Sequence, residues 1–323
     1  MCTAITYKTA DHYFGRTLDL EYCYEERVTV TPRNYEFRFR TKGPIRSHYA
    51  IIGMATVADN YPLYYEAANE RGLSMAGLNF PGNACYFPAL DGKDNIAPFE
   101  FIPWILSQCG NLAKVRELLA KINLCNLNFS EQLLLSPLHW MIADRDNAIT
   151  VESVAEGLRI YENPVGVLTN NPTFDYHMTH LCDYVNLTPQ TPENRFGAVS
   201  LPLYSRGMGG IGLPGDLSSA SRFVRAAFVK LNSVSGESEK ESISQFFHIL
   251  GAVEQQRGCA VMPDGSCEIT LYTSCINTDK GIYYYTTYEN HCINAVDMHR
   301  CDLDGEALYI YPLKKTQKVE LQN

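Results

Sequence analysis

Strand-type runs fill most of the first half of this 323-residue chain and return after residue 257, while helical periodicity is confined to four blocks ahead of that return. Residues 2–7 and 13–18 are short β-type runs flanking residues 8–12, a spacing suited to a hairpin. Further strands are expected at 28–31, 49–55, 73–78, 139–143, 149–153 and 158–161. Apolar residues recur at three and four spacings over 99–109, 112–122, 219–231 and 239–257, which predicts helices. Pro214-Gly215-Asp216-Leu217-Ser218 supplies turn and capping residues ahead of the third helix. Late strands are expected at 268–274, 281–288, 293–298 and 308–311. Strands grouped around helices argue for antiparallel sheets with segregated helical layers, an α+β fold, rather than repeated βαβ units.

Hydrophobic residues make up 46% of the chain and charged residues 20%, enough to bury a substantial core, so residues 1–323 are expected to form one single domain, or two intimately fused halves. The 36 acidic residues against 27 basic ones give a net charge of -9, which opposes binding to nucleic acid or an anionic membrane. The eleven cysteines are odd in number and show no framework spacing, so they read as reduced thiols. No leader precedes the first strand and no run of 18 apolar residues occurs, so the expected location is the cytoplasm.

Cys2 stands at the head of the first strand, preceded only by Met1. Removal of Met1 would leave a thiol and a free α-amine on one residue, a nucleophile carrying its own base. Cysteine and α-amino groups ordinarily titrate near ~8.5 and ~8, both close to physiological pH. Other motifs fail. Gly207-Met208-Gly209-Gly210-Ile211-Gly212 runs into Leu213-Pro214-Gly215 and not into a helix, so it reads as a surface loop. Ser74 in Gly72-Leu73-Ser74-Met75-Ala76 lacks the final glycine of a nucleophile elbow and reads as a strand residue. The groups His177, His180, Cys182 and His291, Cys292, His299, Cys301 lack zinc-type spacing, so no metal is expected.

A hairpin of the first two strands would bring Arg16 and Asp19 toward Cys2. A guanidinium beside a thiol favours its ionised form, and a carboxylate can orient an amine. Amide hydrolysis further needs donors aimed at the developing oxyanion, which uncharged Asn side chains can supply. Asn79 in Gly77-Leu78-Asn79-Phe80-Pro81 and Asn170 in Leu168-Thr169-Asn170-Asn171-Pro172 sit at strand ends, where Asn also serves turns, and spacing alone nominates neither.

Met1-Cys2-Thr3-Ala4, Phe14-Gly15-Arg16-Thr17-Leu18-Asp19, Ala76-Gly77-Leu78-Asn79-Phe80, Leu168-Thr169-Asn170-Asn171-Pro172, and Gly212-Leu213-Pro214-Gly215-Asp216 with Ser221-Arg222-Phe223 together resemble the choloylglycine hydrolase family of N-terminal nucleophile hydrolases. The resemblance runs nearly end to end and is closest to the bacterial bile salt hydrolases, with Leu138-His139-Trp140 and Gly281-Ile282-Tyr283-Tyr284-Tyr285 also similar. It implies a four-layer αββα sandwich of two antiparallel sheets between helices. It also implies Cys2 as nucleophile with its amine as base, Arg16 and Asp19 holding them, Asn79 and Asn170 as the oxyanion hole, and Arg222 supporting the charged network. The implied reaction is cleavage of the amide in glycine- and taurine-conjugated bile acids through a Cys thioester, without a cofactor, in a homotetramer. Met1 would be the whole of what is removed.

A steroid needs a broad apolar pocket, for which Leu18, Tyr22, Ala58, Tyr65, Phe129, Leu133 and Leu138 are lining candidates. The sister penicillin V acylases resemble the chain too but tend to carry Tyr where Asn79 stands, which favours conjugated bile salts. The rival readings are an amidase of the same mechanism acting on penicillin V or an N-acyl homoserine lactone, and a non-catalytic thiol-rich or metal-binding protein.

Overall fold

A computed structural model describes residues 1–323. Two antiparallel sheets form its centre. The first has six strands, in spatial order Val167–Leu168, β1 (Cys2–Lys8), β2 (His12–Leu20), Ile269–Asn277, Ile282–Thr287 and Asn290–Asp297. The second has eight: Gly157–Glu162, Ala148–Val154, Leu138–Ala143, Ser74–Asn79, Tyr61–Asn69, Ile51–Ala58, Arg27–Thr31 and Tyr309–Pro312. Helices α1 (Phe101–Gln108) and α2 (Leu112–Leu119) cover the outer face of the second sheet. Helices α3 (Phe174–Leu181), α4 (Ser219–Asn232) and α5 (Glu239–Gly251) lie on the side of the first. The layers are therefore α, β, β, α, as the resemblance implies.

Period-two alternation sorts the second sheet's side chains between two cores. Ile52, Met54, Ala76, Leu78 and Met141 point toward the first sheet, where Tyr272 and Tyr283 also pack and a continuous apolar cluster extends to Phe223 of α4 and Phe246 of α5. Ile51, Met75, Trp140 and Ile142 point the other way, against Phe101, Ile105 and Leu112 of α1 and α2. The Phe101 and Trp140 rings meet edge to face at 4.8 Å.

The expected hairpin forms between β1 and β2, with Cys2 opposite Leu18 and Lys8 opposite His12. Ser218 caps α4 by accepting from the Ser221 amide, as the turn residues ahead of it predict. Three expectations need correction. The helix over 239–257 stops at Gly251, because Glu254 and Gln255 turn back to bond the strand that begins at Ile269. The helix over 112–122 stops at Leu119, and Ile122 begins a short parallel pair with Asp94–Ile96. The strand Tyr61–Asn69 was not anticipated, since Pro62 and Glu66 interrupt its apolar run.

Gly15 lets β2 close against the strand Ile269–Asn277: a Cβ there would lie 2.1 Å from the Ser274 carbonyl oxygen. Backbone on backbone has nowhere to yield. Gly15→Ala is expected to lower the unfolding free energy by about 1–3 kcal/mol, as overpacking does, in a urea titration; an unchanged midpoint would show that the strands can separate freely.

Candidate active site

The hairpin register decides which side chains meet the second sheet. Cys2 pairs with Leu18 and Ala4 with Arg16, so these four share one face, while Thr3, Thr17 and Asp19 take the other, toward α4. Arg16, 1% exposed, reaches across to the second sheet, where Nη1 donates to the carbonyls of Gly77 at 2.5 Å and Tyr65 at 3.3 Å. Burial works against its charge, but Cys2, Tyr272, Glu66 and Asp19 around it hold the guanidinium above its usual value. Cys2 itself is buried.

The short strand Val167–Leu168 pairs with β1, Ala4 opposite Leu168, and so delivers Asn170 beside Cys2. Asn170 Oδ1 accepts from the Cys2 nitrogen at 2.8 Å and from Arg222 Nη2 at 2.7 Å. Its Nδ2 donates one hydrogen to the Asn79 carbonyl at 2.7 Å; the second hydrogen of that amide is free, as is the Asn79 side chain. Arg222 is fully buried on α4 and donates through Nη1 to the Cys2 carbonyl at 2.6 Å and Thr3 Oγ1 at 2.7 Å, and through Nε to the Leu217 carbonyl at 3.0 Å. Burial draws its guanidinium below the usual value, opposed by Asp19, Cys2 and Glu268.

Asp19 accepts from Thr270 Oγ1 at 2.7 Å and Thr17 Oγ1 at 3.1 Å, and its backbone exchanges hydrogen bonds with Met1. The Met1 ammonium also pairs with Glu268. With Met1 attached, the Cys2 nitrogen is an amide and has no basic lone pair. Its removal would leave a primary amine at the same place, facing Asn170 Oδ1.

Hydrogen bonds thus join Cys2, Asn170, Arg222 and, through its carbonyl, Asn79, while Asp19 bonds the Met1 backbone and Arg16, midway along β2, shares the Cys2 face. The apolar candidates divide. Leu18 faces Cys2 directly, Tyr65 packs on the central core, and Leu138 lies opposite Asn79. Phe129 instead packs on Tyr61 and Phe99 in the outer core, Tyr22 stacks edge-on against Tyr24 in solvent, and Ala58 and Leu133 lie at half-buried loop and strand-end positions. Two surface cavities of about 280 and 480 Å³ lie elsewhere and include none of these seven or Cys2.

Residue reading missed the groups that fix Asn170. Ser219 Oγ accepts from the Asn170 amide at 2.8 Å, and His177 Nε2 donates to its carbonyl at 2.8 Å. His177 sits on the eight-residue α3, too short and polar for periodicity to reveal.

Layering of this kind, with a cysteine heading a central strand, is the fold of the N-terminal nucleophile hydrolases. Residues 2–311 match the family model described as linear amide C-N hydrolases, choloylglycine hydrolase family. The "Bile salt hydrolase/transferase" of Lactiplantibacillus plantarum is 56% identical over 315 residues, 97% of each chain. A mutant of the conjugated bile acid hydrolase from Clostridium perfringens superposes with a TM-score of 0.93 at 39% identity, covering 100% of both chains. The penicillin V acylase from Agrobacterium tumefaciens gives a TM-score of 0.74 at 20% identity, covering 96% of this chain and 90% of its own, a likeness of fold. The chain belongs to the choloylglycine hydrolase family and is a linear amide C–N hydrolase.

Burial lowers His177 from 6.5 to about 4, so it is neutral where it supports Asn170. As pH falls, the unfolded chain takes up this proton first, and stability present above pH 6.5 is lost toward pH 4. Unfolding free energy should drop by about 2 kcal/mol more between pH 7 and pH 5 in the wild type than in His177→Gln. Parallel losses in the two proteins would place the acid sensitivity elsewhere.

Proposed function

We propose that this chain is a bile salt hydrolase, cleaving the amide between a bile acid and glycine or taurine. The observation that carries the mechanism is the Cys2 nitrogen held 2.8 Å from Asn170 Oδ1, with Arg222 on the same oxygen. The substrate class rests on the likeness to the Lactiplantibacillus and Clostridium proteins, whose names carry that activity.

Once Met1 is removed, the α-amine takes the thiol proton and the Cys2 sulfur bonds to the substrate carbonyl carbon. Asn79 and the free hydrogen of Asn170 Nδ2 face the oxygen as it gains charge. The C–N bond breaks, the amine passes its proton to the departing glycine or taurine nitrogen, and a thioester remains. Water, deprotonated by the same amine, attacks the thioester; the C–S bond breaks, the sulfur recovers a proton, and the free bile acid leaves. Arg16, on the Cys2 face, favours the thiolate, and Asp19 helps orient the amine.

Eleven free cysteines without a disulfide support a reducing, cytoplasmic location. No helix of the chain is long and apolar enough to cross a membrane. Assembly as a homotetramer is proposed on the family resemblance, and the exposed apolar side chains Val185, Phe196, Val199, Leu201 and Tyr204 offer contact area for it. Light scattering behind size exclusion should return four times the chain mass; a monomer mass would remove the assembly.

The central experiment pairs intact mass with amine release from glycine- and taurine-conjugated bile salts, with penicillin V alongside. Active protein should begin at Cys2, and Cys2→Ser should release nothing above background. Asn170→Ala should lose on the order of a hundredfold in kcat, the cost of about 3 kcal/mol for one oxyanion donor. Active protein that keeps Met1 would end the free-amine mechanism, and faster release from penicillin V would move the substrate class.

A further inference from the structure

Arg16 is a buried cation whose hydrogen bonds go to the carbonyls of Gly77, Tyr65 and Thr17, none of which carries a charge to balance it. The second sheet answers through Glu66, on the strand Tyr61–Asn69, which is 0% exposed and lies with Oε2 3.8 Å from Arg16 Nε. Tyr272 donates to Oε2 at 2.8 Å and Tyr283 donates to Oε1, so each carboxylate oxygen accepts a phenolic proton. Both tyrosines belong to the first sheet, so the carboxylate is clamped from one sheet while projecting from the other. An ionised carboxylate is acceptor-only, and with a hydroxyl donor on each oxygen and a guanidinium beside it this site suits that form. Burial raises the Glu66 carboxyl above the usual carboxylate range, and Arg16 and the Tyr283, Tyr272 and Ser274 hydroxyls offset part of that rise.

A carboxylate paired through Arg16 with the nucleophile's face has two effects on the thiol. It holds the guanidinium in register, through a group whose own position is set by both sheets. It also spends part of the guanidinium's field, so that the thiolate is stabilised less than a lone Arg16 would stabilise it. The other charged or titratable groups that act on Arg16 or Glu66 are Tyr65 beside Glu66, Tyr272 and Tyr283 on the first sheet and, from the opposite face of the hairpin, Asp19; Arg222 acts on Cys2 from the α4 side, with Glu268 acting on Arg222.

We propose that Glu66 is a positioning residue of the reaction, a carboxylate that anchors Arg16 and sets the pH at which Cys2 becomes a nucleophile. The proposal rests on Cys2 as the nucleophile assigned above. It adds a residue that contacts no reacting atom and acts through Arg16.

The test is the pH dependence of two quantities in processed wild type, Glu66→Gln and Glu66→Asp: kcat/KM for glycine-conjugated bile salt, and the rate of iodoacetamide alkylation read on the N-terminal Cys2 peptide. In Glu66→Gln the acid limb of both profiles should move to lower pH by roughly one unit, since a negative charge is lost near the thiolate. The kcat plateau should fall roughly tenfold, with KM little changed, because Arg16 is no longer held in place. Glu66→Asp keeps the charge, so its acid limb should stay at the wild-type pH while kcat remains low.

Coincident acid limbs in wild type and Glu66→Gln would overturn the proposal, and a lower melting temperature alone would not rescue it. If Glu66→Gln fails to fold, Tyr283→Phe removes one clamp and keeps the carboxylate; the proposal then requires a severalfold lower kcat at unchanged KM, and a wild-type kcat overturns it. The alkylation profile does not depend on bile salt turnover. Absence of turnover in wild type would therefore count against the substrate assignment, while the Cys2 profile still decides the role of Glu66.

Discussion

The site depends on one buried cation, Arg222. A guanidinium withdrawn from water is costly unless its protons are met, and here they are met by the Cys2 carbonyl, Thr3 Oγ1, Asn170 Oδ1 and the Leu217 carbonyl. Each acceptor belongs to a different piece of the machinery: the nucleophile's own backbone, its neighbour, the oxyanion-hole candidate and the turn entering α4. The desolvation of Arg222 is thus offset only when β1, the segment after Leu168 and α4 are all in place. The same cation that needs these acceptors also fixes them, and through Asn170 it fixes the nitrogen proposed as the base.

A second cation, Arg16, solves a different problem on the other face of the hairpin. Antiparallel pairing sends alternate residues to opposite faces, so Cys2 and Arg16 look into the sheet–sheet interior while Thr3 and Asp19 look toward α4. Cys2, the proposed nucleophile, is consequently contacted from two layers at once. Its side chain lies between the sheets on the Arg16 face, and its backbone is held by Asn170 and Arg222.

Much of this was legible from residue order. The hairpin followed from two short β-type runs with a polar connection, and the α+β layering from strands gathered around helical blocks. Arg16 and Asp19 were legible as hairpin neighbours of Cys2. Asn79 and Asn170 were not, since Asn at a strand end serves turns as readily as chemistry, and only the family resemblance nominated them. Glu66 escaped for a sharper reason: a glutamate inside an apolar strand reads as a break in the pattern, and its compensation comes from Tyr272 and Tyr283, more than two hundred positions away. His177 and Ser219 were invisible because what they do is bond the backbone of Asn170, and backbone partners leave no mark on side-chain periodicity. The apolar lining fared unevenly, since Leu18 and Phe129 serve packing as easily as a pocket.

Sequence separation gives the site an order of assembly. Asn170 and Arg222 stand 168 and 220 residues from Cys2, and Glu268, which binds the Met1 ammonium, stands 267 from Met1. During synthesis the thiol emerges first and its partners last, so for most of translation it is an ordinary exposed cysteine. That interval is also when Met1 is within reach of a processing enzyme, because in the finished fold its ammonium is tied to Glu268 and to the Asp19 carbonyl. Under the proposed mechanism excision and folding are then sequential: Met1 would be trimmed while the N-terminus is chemically unremarkable, and Cys2 would become reactive only when the rest of the chain has closed around it.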